Sequence, residues 1–106
     1  MASSKEYLNF ILEQLSLLDN IKVRPMMGEF ILYYKDKIFG GIYDDRLLVK
    51  ITKSSNKLMP NALKELPYDG AHEMFLVDEV DNKLFLKELI EAMYNDLPSK
   101  RKWKND

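Results

Sequence analysis

The chain has 106 residues, of which 46% are hydrophobic and 31% are charged, a composition typical of one globular domain. It contains no cysteine and a single histidine, which excludes disulfides, thiolate metal sites and multi-histidine metal centres. The net charge of −1 does not suggest duplex-DNA binding by the body of the chain, because such binding depends on many cationic contacts to phosphate.

An amphipathic helix is predicted at the start of the chain. Ser3 and Glu6 have the spacing of a capping box. Apolar residues then recur at helical spacing at Tyr7, Leu8, Ile11, Leu12, Leu15 and Leu18. Asp19 and Asn20 are expected to end the helix, which should lie on a sheet.

Residues 23–51 are predicted to form three or four consecutive strands. Their short polar connections, at residues 35–37 and at Asp44-Asp45, can join only antiparallel neighbours. Pro25 cannot donate a ladder hydrogen bond, so the strand at residues 21–27 should lie at an edge, with a turn at Gly28. In residues 46–51 the apolar positions alternate, and we expect Leu47, Val49 and Ile51 to face a core.

Two consecutive glycines, Gly40 and Gly41, interrupt the strand predicted at residues 38–43. Glycine inside a strand often marks a bulge or the close approach of another group. The favoured interpretation is a notch for a helix side chain such as Leu15, and the alternative is a notch for a ligand.

The second half of the chain is predicted to add helices and one strand. Pro60 should divide a helical region into pieces at residues 54–59, with Ser54 or Ser55 as cap, and 61–66. A strand is expected at residues 73–78. A last helix, capped by Asp81 or Asp78, should run to about Leu97 before Pro98 stops it. The predicted fold is therefore α+β, with an N-terminal helix, an antiparallel meander sheet, a short helical region, a further strand and a C-terminal helix.

The sequence contains no recognisable catalytic constellation. His72 is expected on a surface loop, and the absence of cysteine removes Cys-His chemistry. The carboxylates of Asp44-Asp45 fit a turn, and those around Asp78 precede a helix, where they oppose its dipole. We therefore expect no enzyme activity, no cofactor and no metal.

A basic tail follows the predicted domain, which spans residues 1–99. The segment 100–106 has four cations against one carboxylate, so its charge is +3 and the rest of the chain sums to −4. The candidate contact residues there are Lys100, Arg101, Lys102, Trp103 and Lys104. Cations beside an aromatic ring can hold phosphates and stack a base, so the tail is a candidate for nucleic-acid binding.

Three segments resemble the N-terminal domain of TfoX/Sxy-type competence regulators. They are the Arg24-x-Met26-Met27-Gly28 motif, residues 33–39 (YYKDKIF) and residues 45–50 (DRLLVK). The chain departs from the family pattern at Met27, where the family has an aromatic residue, and at Glu29, where it has a glycine. The resemblance implies an α+β fold, a stand-alone N-terminal domain and a role in transcriptional regulation of DNA uptake. It implies no catalytic residues.

The leading functional hypothesis is a small cytoplasmic regulatory module that binds a protein and does not contact membranes. The N-terminus shows no signal-peptide pattern, which favours the cytoplasm. One alternative is an enzyme or small-ligand binder with a pocket near Gly40-Gly41, lined by Arg24, Tyr33 and Tyr43. A homodimer is also predicted if a sheet face bearing Tyr33 is exposed.

Overall fold

The computed structural model describes residues 3–98. Across these residues the chain forms, in order, α1 (Lys5–Gln14), β1 (Ile21–Met26), β2 (Glu29–Tyr34), β3 (Lys37–Ile42), β4 (Leu47–Val49), α2 (Lys53–Leu58), β5 (Lys64–Glu65), β6 (Met74–Leu76) and α3 (Lys83–Tyr94).

The six strands form one antiparallel sheet in the order β1-β2-β3-β4-β6-β5. The first four strands follow each other as a meander, because each connection is too short for anything but a hairpin. β1 lies at one edge, as Pro25 predicts. The predicted α+β class and the antiparallel meander are confirmed.

Two hairpins turn through residue pairs with positive φ. Met27 and Gly28 join β1 to β2 with φ of 52° and 85°, and Asp44 and Asp45 join β3 to β4 with φ of 54° and 55°. Left-handed backbone at both positions characterises the type I′ turn, whose twist matches that of the flanking strands. The predicted turn at Asp44-Asp45 is confirmed.

Both long helices pack against the same face of the sheet. The core between them is formed by Leu8, Ile11, Leu15 and Leu18 from the α1 region, Leu32, Phe39, Ile42, Leu47 and Val49 from the sheet, and Leu86, Leu89, Ile90 and Met93 from α3. Leu48 belongs to a second cluster with Tyr43 and Met74. The predicted alternation in β4 is therefore correct for Leu47 and Val49, whereas Ile51 lies beyond the strand and is 41% exposed.

The glycine pair faces neighbouring strands and not a helix. A Cβ at Gly40 would meet Leu48 O and Val49 Cα, and one at Gly41 would lie 2.6 Å from Phe30 O. The register between β2 and β3 shifts beside Gly40, which is the irregularity that glycine often marks. The expected notch for Leu15 is therefore wrong, because backbone atoms of the sheet occupy that space.

The helix expected at residues 61–66 is also wrong. Lys64 and Glu65 instead pair with Phe75 and Met74 as strand β5. Helical backbone is disfavoured at Leu66, because the ring of a following proline clashes with it. The leucines that suggested a helical stripe do not reach the core, since Leu63 and Leu66 are exposed.

The helix caps differ from the expected residues by one or a few positions. Ser4, not Ser3, accepts the first-turn N–H of α1, and the helix ends at Gln14. Thr52 caps α2 in a capping box with Ser55. Asn82, not Asp81 or Asp78, caps α3. Each cap is a short polar side chain one residue before the helix, as the general rule requires.

Candidate functional site

The face of the sheet opposite the helices carries the candidate site. On the β1–β2 hairpin its side chains include Lys22 and Arg24, which are exposed, and Ile31 and Tyr33, which are half-buried. They point away from the core because successive residues of a strand alternate between faces. The segment 66–73, which joins β5 to β6, lies at the other end of the same face.

The structure places the predicted site residues in two separate hollows. Arg24 and Tyr33 line a hollow of about 260 Å³ on the β1–β2 hairpin, together with Lys35 and Asp36. Tyr43 lines a different cavity. The structure therefore does not bring Arg24, Tyr33 and Tyr43 together in one pocket. The tail residues Lys100, Arg101, Lys102, Trp103 and Lys104 lie outside the described residues, and their contact with nucleic acid stays a prediction.

A larger cavity of about 530 Å³ lies between the sheet and the segment 66–73. We call it the Tyr68 groove. Its lining includes Gly40, Tyr43, Lys50, Tyr68, His72 and Glu73. The prediction of His72 on an exposed loop is confirmed.

The segment 66–73 forms one wall of the Tyr68 groove, and Arg46 fixes this wall to the sheet. Its Nε donates to the carbonyl of Tyr43 at 3.1 Å, and its Nη1 contacts the Glu65 carboxylate at 3.1 Å. Its Nη2 donates to the carbonyl of Leu66 at 3.3 Å. One planar guanidinium therefore joins the β3–β4 turn to the chain that enters the wall. The wall is also held by Tyr68, whose ring contacts that of Tyr43.

Burial shifts the acid–base equilibria of two groove residues. It raises the pKa of the Tyr43 phenol, with smaller contributions from Tyr68 and Glu29. It lowers the pKa of the Lys50 ammonium, because the charged form loses solvation. Tyr43 therefore remains a neutral hydroxyl that can donate a hydrogen bond. Together the two groups suit the binding of an electron-rich or anionic group.

The Asp44-Asp45 turn, which directly follows Tyr43, has a structural role. The Asp45 carboxylate accepts from the Ser4 N–H at 2.9 Å, at the start of α1. Glu29 accepts from the Ser3 hydroxyl at 2.6 Å and from the Asp44 N–H at 3.2 Å. The glutamate that departs from the family pattern therefore ties the start of α1 to two hairpins.

Met27 is the most exposed large apolar side chain of the described residues, at 96%. It sits at the tip of the β1–β2 hairpin with φ of 52°. The turn preference for Asn, Asp or Gly at this position does not account for a methionine.

Residues 3–98 show neither a metal site nor a membrane span. No three of their histidine and acidic side chains converge on one point as metal ligands would. None of the helices in this part of the chain combines the length and apolar character needed to cross a bilayer.

The sequence relationships agree with the resemblance seen in the β1–β4 segment. The TfoX N-terminal domain matches residues 13–80. Over 80 residues the chain is 31% identical to the "Uncharacterized 12.7 kDa protein in trpE 5'region" of Spirochaeta aurantia. The matched region covers 76% of this chain and 70% of that protein. No solved structure matches the chain significantly. From the family match and this relative, we conclude that the chain belongs to the TfoX N-terminal domain family.

Proposed function

We propose that this chain is a regulatory module that acts by binding a protein, and that the tip of its β1–β2 hairpin is the contact. The observation that carries the proposal is Met27, an apolar side chain 96% exposed on left-handed backbone. Membership of the TfoX N-terminal domain family supports a regulatory role connected with competence.

Neither folding nor solubility favours methionine at this turn. A side chain with a Cβ costs roughly 1–2 kcal/mol in the left-handed region, and only Gly, Asn and Asp enter it readily. An apolar side chain that stays in water gains no burial free energy to offset that cost. A partner surface that buries Met27 would supply the missing stabilisation, and the flexible thioether adapts to irregular pockets.

Two cations farther along β1 indicate what the partner surface offers around the Met27 contact. Lys22 and Arg24 are exposed on the same strand face of the hairpin, and neither has an ion-pair partner among residues 3–98. The complementary surface is an apolar pocket for Met27 with carboxylates roughly 10–17 Å away, because Arg24 and Lys22 lie three and five residues from Met27 along the strand. Charges at such a rim act mainly on the association rate and on partner choice.

We propose binding and not catalysis from the surroundings of His72 and of the Asp44-Asp45 turn. His72 is exposed, and it makes no hydrogen bond within this part of the chain. The Asp44-Asp45 turn uses its polar groups for the contacts to Ser3, Ser4 and Glu29.

A capture experiment with two matched variants tests the proposal. Immobilised wild-type protein, Met27→Asn and Leu84→Asn are exposed to lysate of the native host, and bound proteins are quantified. Leu84 is a suitable control because it is 73% exposed on α3, on the helical side of the sheet. We expect a protein that is retained by wild type and Leu84→Asn and lost with Met27→Asn. Equal retention by all three would overturn the proposal.

A further inference from the structure

Lys50 is a half-buried cation that lacks a carboxylate partner among the described residues. The ion pairs of this part of the chain are Arg46–Glu65, Lys83–Glu13 and Lys87–Glu91. Lys50 takes part in none of them, and its ammonium has no hydrogen bond within residues 3–98. Partial burial of an unpaired charge is unfavourable, because lost hydration is not replaced by another interaction.

The Tyr68 groove supplies the surroundings in which a ligand could compensate this charge. Its volume of about 530 Å³ is in the range that holds small organic ligands. Besides Lys50, the lining contains one other charged side chain, the exposed Glu73, and the remaining lining residues are formally uncharged. Because Glu73 forms no ion pair with Lys50 within the described residues, the Lys50 ammonium remains available to an anion.

The aromatic side chains of the groove offer a surface for a flat ring. The centroids of Tyr43 and Tyr68 lie 6.2 Å apart, with their planes tilted by 54°. Tyr43 is buried beneath the groove, whereas Tyr68 is 55% exposed above it. A planar ligand could stack on the free part of the Tyr68 ring while its acidic group meets Lys50.

We propose that the Tyr68 groove binds a small organic anion that carries one flat ring. Lys50 contacts the anionic group, which is a carboxylate or a phosphate ester. Tyr68 stacks on the ring, and the Tyr43 hydroxyl donates a hydrogen bond to the ligand. This site is separate from the Met27 tip, so the inference does not depend on the proposed protein partner.

The test uses benzoate, phenyl phosphate and the uncharged benzamide as probes. Each probe is titrated into the ¹⁵N-labelled protein, and amide chemical shifts are followed up to a probe concentration of about 10 mM. This concentration exceeds the Kd of about 1 mM that is reasonable for ligands of this size. We expect saturable shifts at residues 38–43 and 67–74 with at least one anion, and at least tenfold weaker binding of benzamide. No saturable change in the groove would overturn the proposal.

Two lysine variants separate a site from general charge effects. Lys50→Gln should weaken binding of the anion at least tenfold and leave benzamide unchanged. Lys57→Gln should change neither, because Lys57 is exposed on α2 and does not line the groove. Equal anion binding by wild type and Lys50→Gln would also overturn the proposal.

The two anions distinguish the sources of the acidic group. Tighter binding of phenyl phosphate would assign the natural ligand to phosphate esters, and tighter binding of benzoate would assign it to carboxylates. Tyr68→Ala should weaken both probes. Failure of these titrations would not change the result expected from the capture experiment with Met27→Asn, so the two proposals are tested independently.

Discussion

The ring of Tyr68 packs against the ring of Tyr43, with centroids 6.2 Å apart and an interplanar angle of 54°. This contact joins a loop residue to the sheet across 24 intervening residues. Together with the bonds from Arg46, it holds the wall of the Tyr68 groove in place.

The contact between these two rings should stabilise the fold. Tyr68→Ala should lower the free energy of unfolding by about 1 kcal/mol, because tilted aromatic pairs contribute roughly that amount beyond their buried area. Urea unfolding followed by circular dichroism measures the change. Asp69→Ala, at the exposed neighbouring position, should leave the midpoint unchanged. Equal effects of the two variants would show that the ring contact does not stabilise the loop.

Gly40 should tolerate no side chain. The Cβ of Gly40→Ala would meet backbone atoms of Leu48 and Val49, which cannot move without disturbing β4. We expect a loss of about 3 kcal/mol, at the upper end for overpacking. Gly70→Ala is the control, because its Cβ meets no atom within 4 Å and only the positive φ opposes it. That variant should lose about 1 kcal/mol. A smaller loss for Gly40→Ala than for Gly70→Ala would contradict the strand contact.

The two faces of α3 should respond differently to truncation. Leu86 has 0% exposure in the core, and Leu84 on the same helix is 73% exposed. Leu86→Ala should therefore destabilise the protein by about 2–5 kcal/mol through lost burial and a cavity. Leu84→Ala should change stability by less than about 0.5 kcal/mol. Thermal and urea unfolding measure the stability of both variants. Similar losses for the two would show that α3 does not pack on the sheet through the face that carries Leu86.

Asp96 should make stability depend on pH. Hydrogen bonds, first from the backbone N–H of Ser54 at 2.9 Å, lower the pKa of Asp96 below its ordinary 3.8. A carboxyl with a lowered folded-state pKa stabilises the fold above its unfolded-state pKa. This contribution is lost as pH falls through the folded-state value.

The variant Asp96→Asn isolates that contribution, because all other carboxyls titrate in both proteins. Wild type should have the higher urea midpoint at neutral pH, and the difference should shrink as pH falls below 3.8. A difference that stays constant down to strongly acidic pH would show that the Asp96 charge is not coupled to folding.

Met27→Asn should raise stability while removing function. Asparagine followed by Gly28 is the pair most favoured in a type I′ turn, so we expect a gain of about 1 kcal/mol. Urea unfolding measures the gain directly. A more stable variant that no longer binds the partner is the expected signature of a residue retained for contact at the expense of stability. Lower stability would show that the turn requires methionine for folding.

The local chemistry of the chain predicts the meander, whereas longer-range pairing decides the rest. Asp44-Asp45 and Pro25 act through backbone conformation and missing donors, so their positions follow from the sequence. The two-residue strand Lys64–Glu65 exists only because β6 pairs with it. Its flanking leucines have helical spacing, so the local pattern predicts a helix at residues 61–66 in place of this strand.

The residues of the candidate site are likewise predictable from the sequence only in part. The sequence predicts Tyr43 as a site residue through the alternative of a ligand pocket near Gly40-Gly41. Lys50 and Tyr68 were missed, since nothing local indicates that the segment 66–73 folds over the sheet. The turn signal at residues 67–70 located the loop but not the face that it covers.

The most direct test of the central claim is photo-crosslinking from the hairpin tip in living cells of the native host. A photoreactive amino acid is placed at position 27 or, as a control, at the exposed position 57 on α2. We expect one discrete protein adduct from position 27 that is absent from position 57. No adduct from position 27, or the same adducts from both positions, would show that the hairpin tip is not the protein contact.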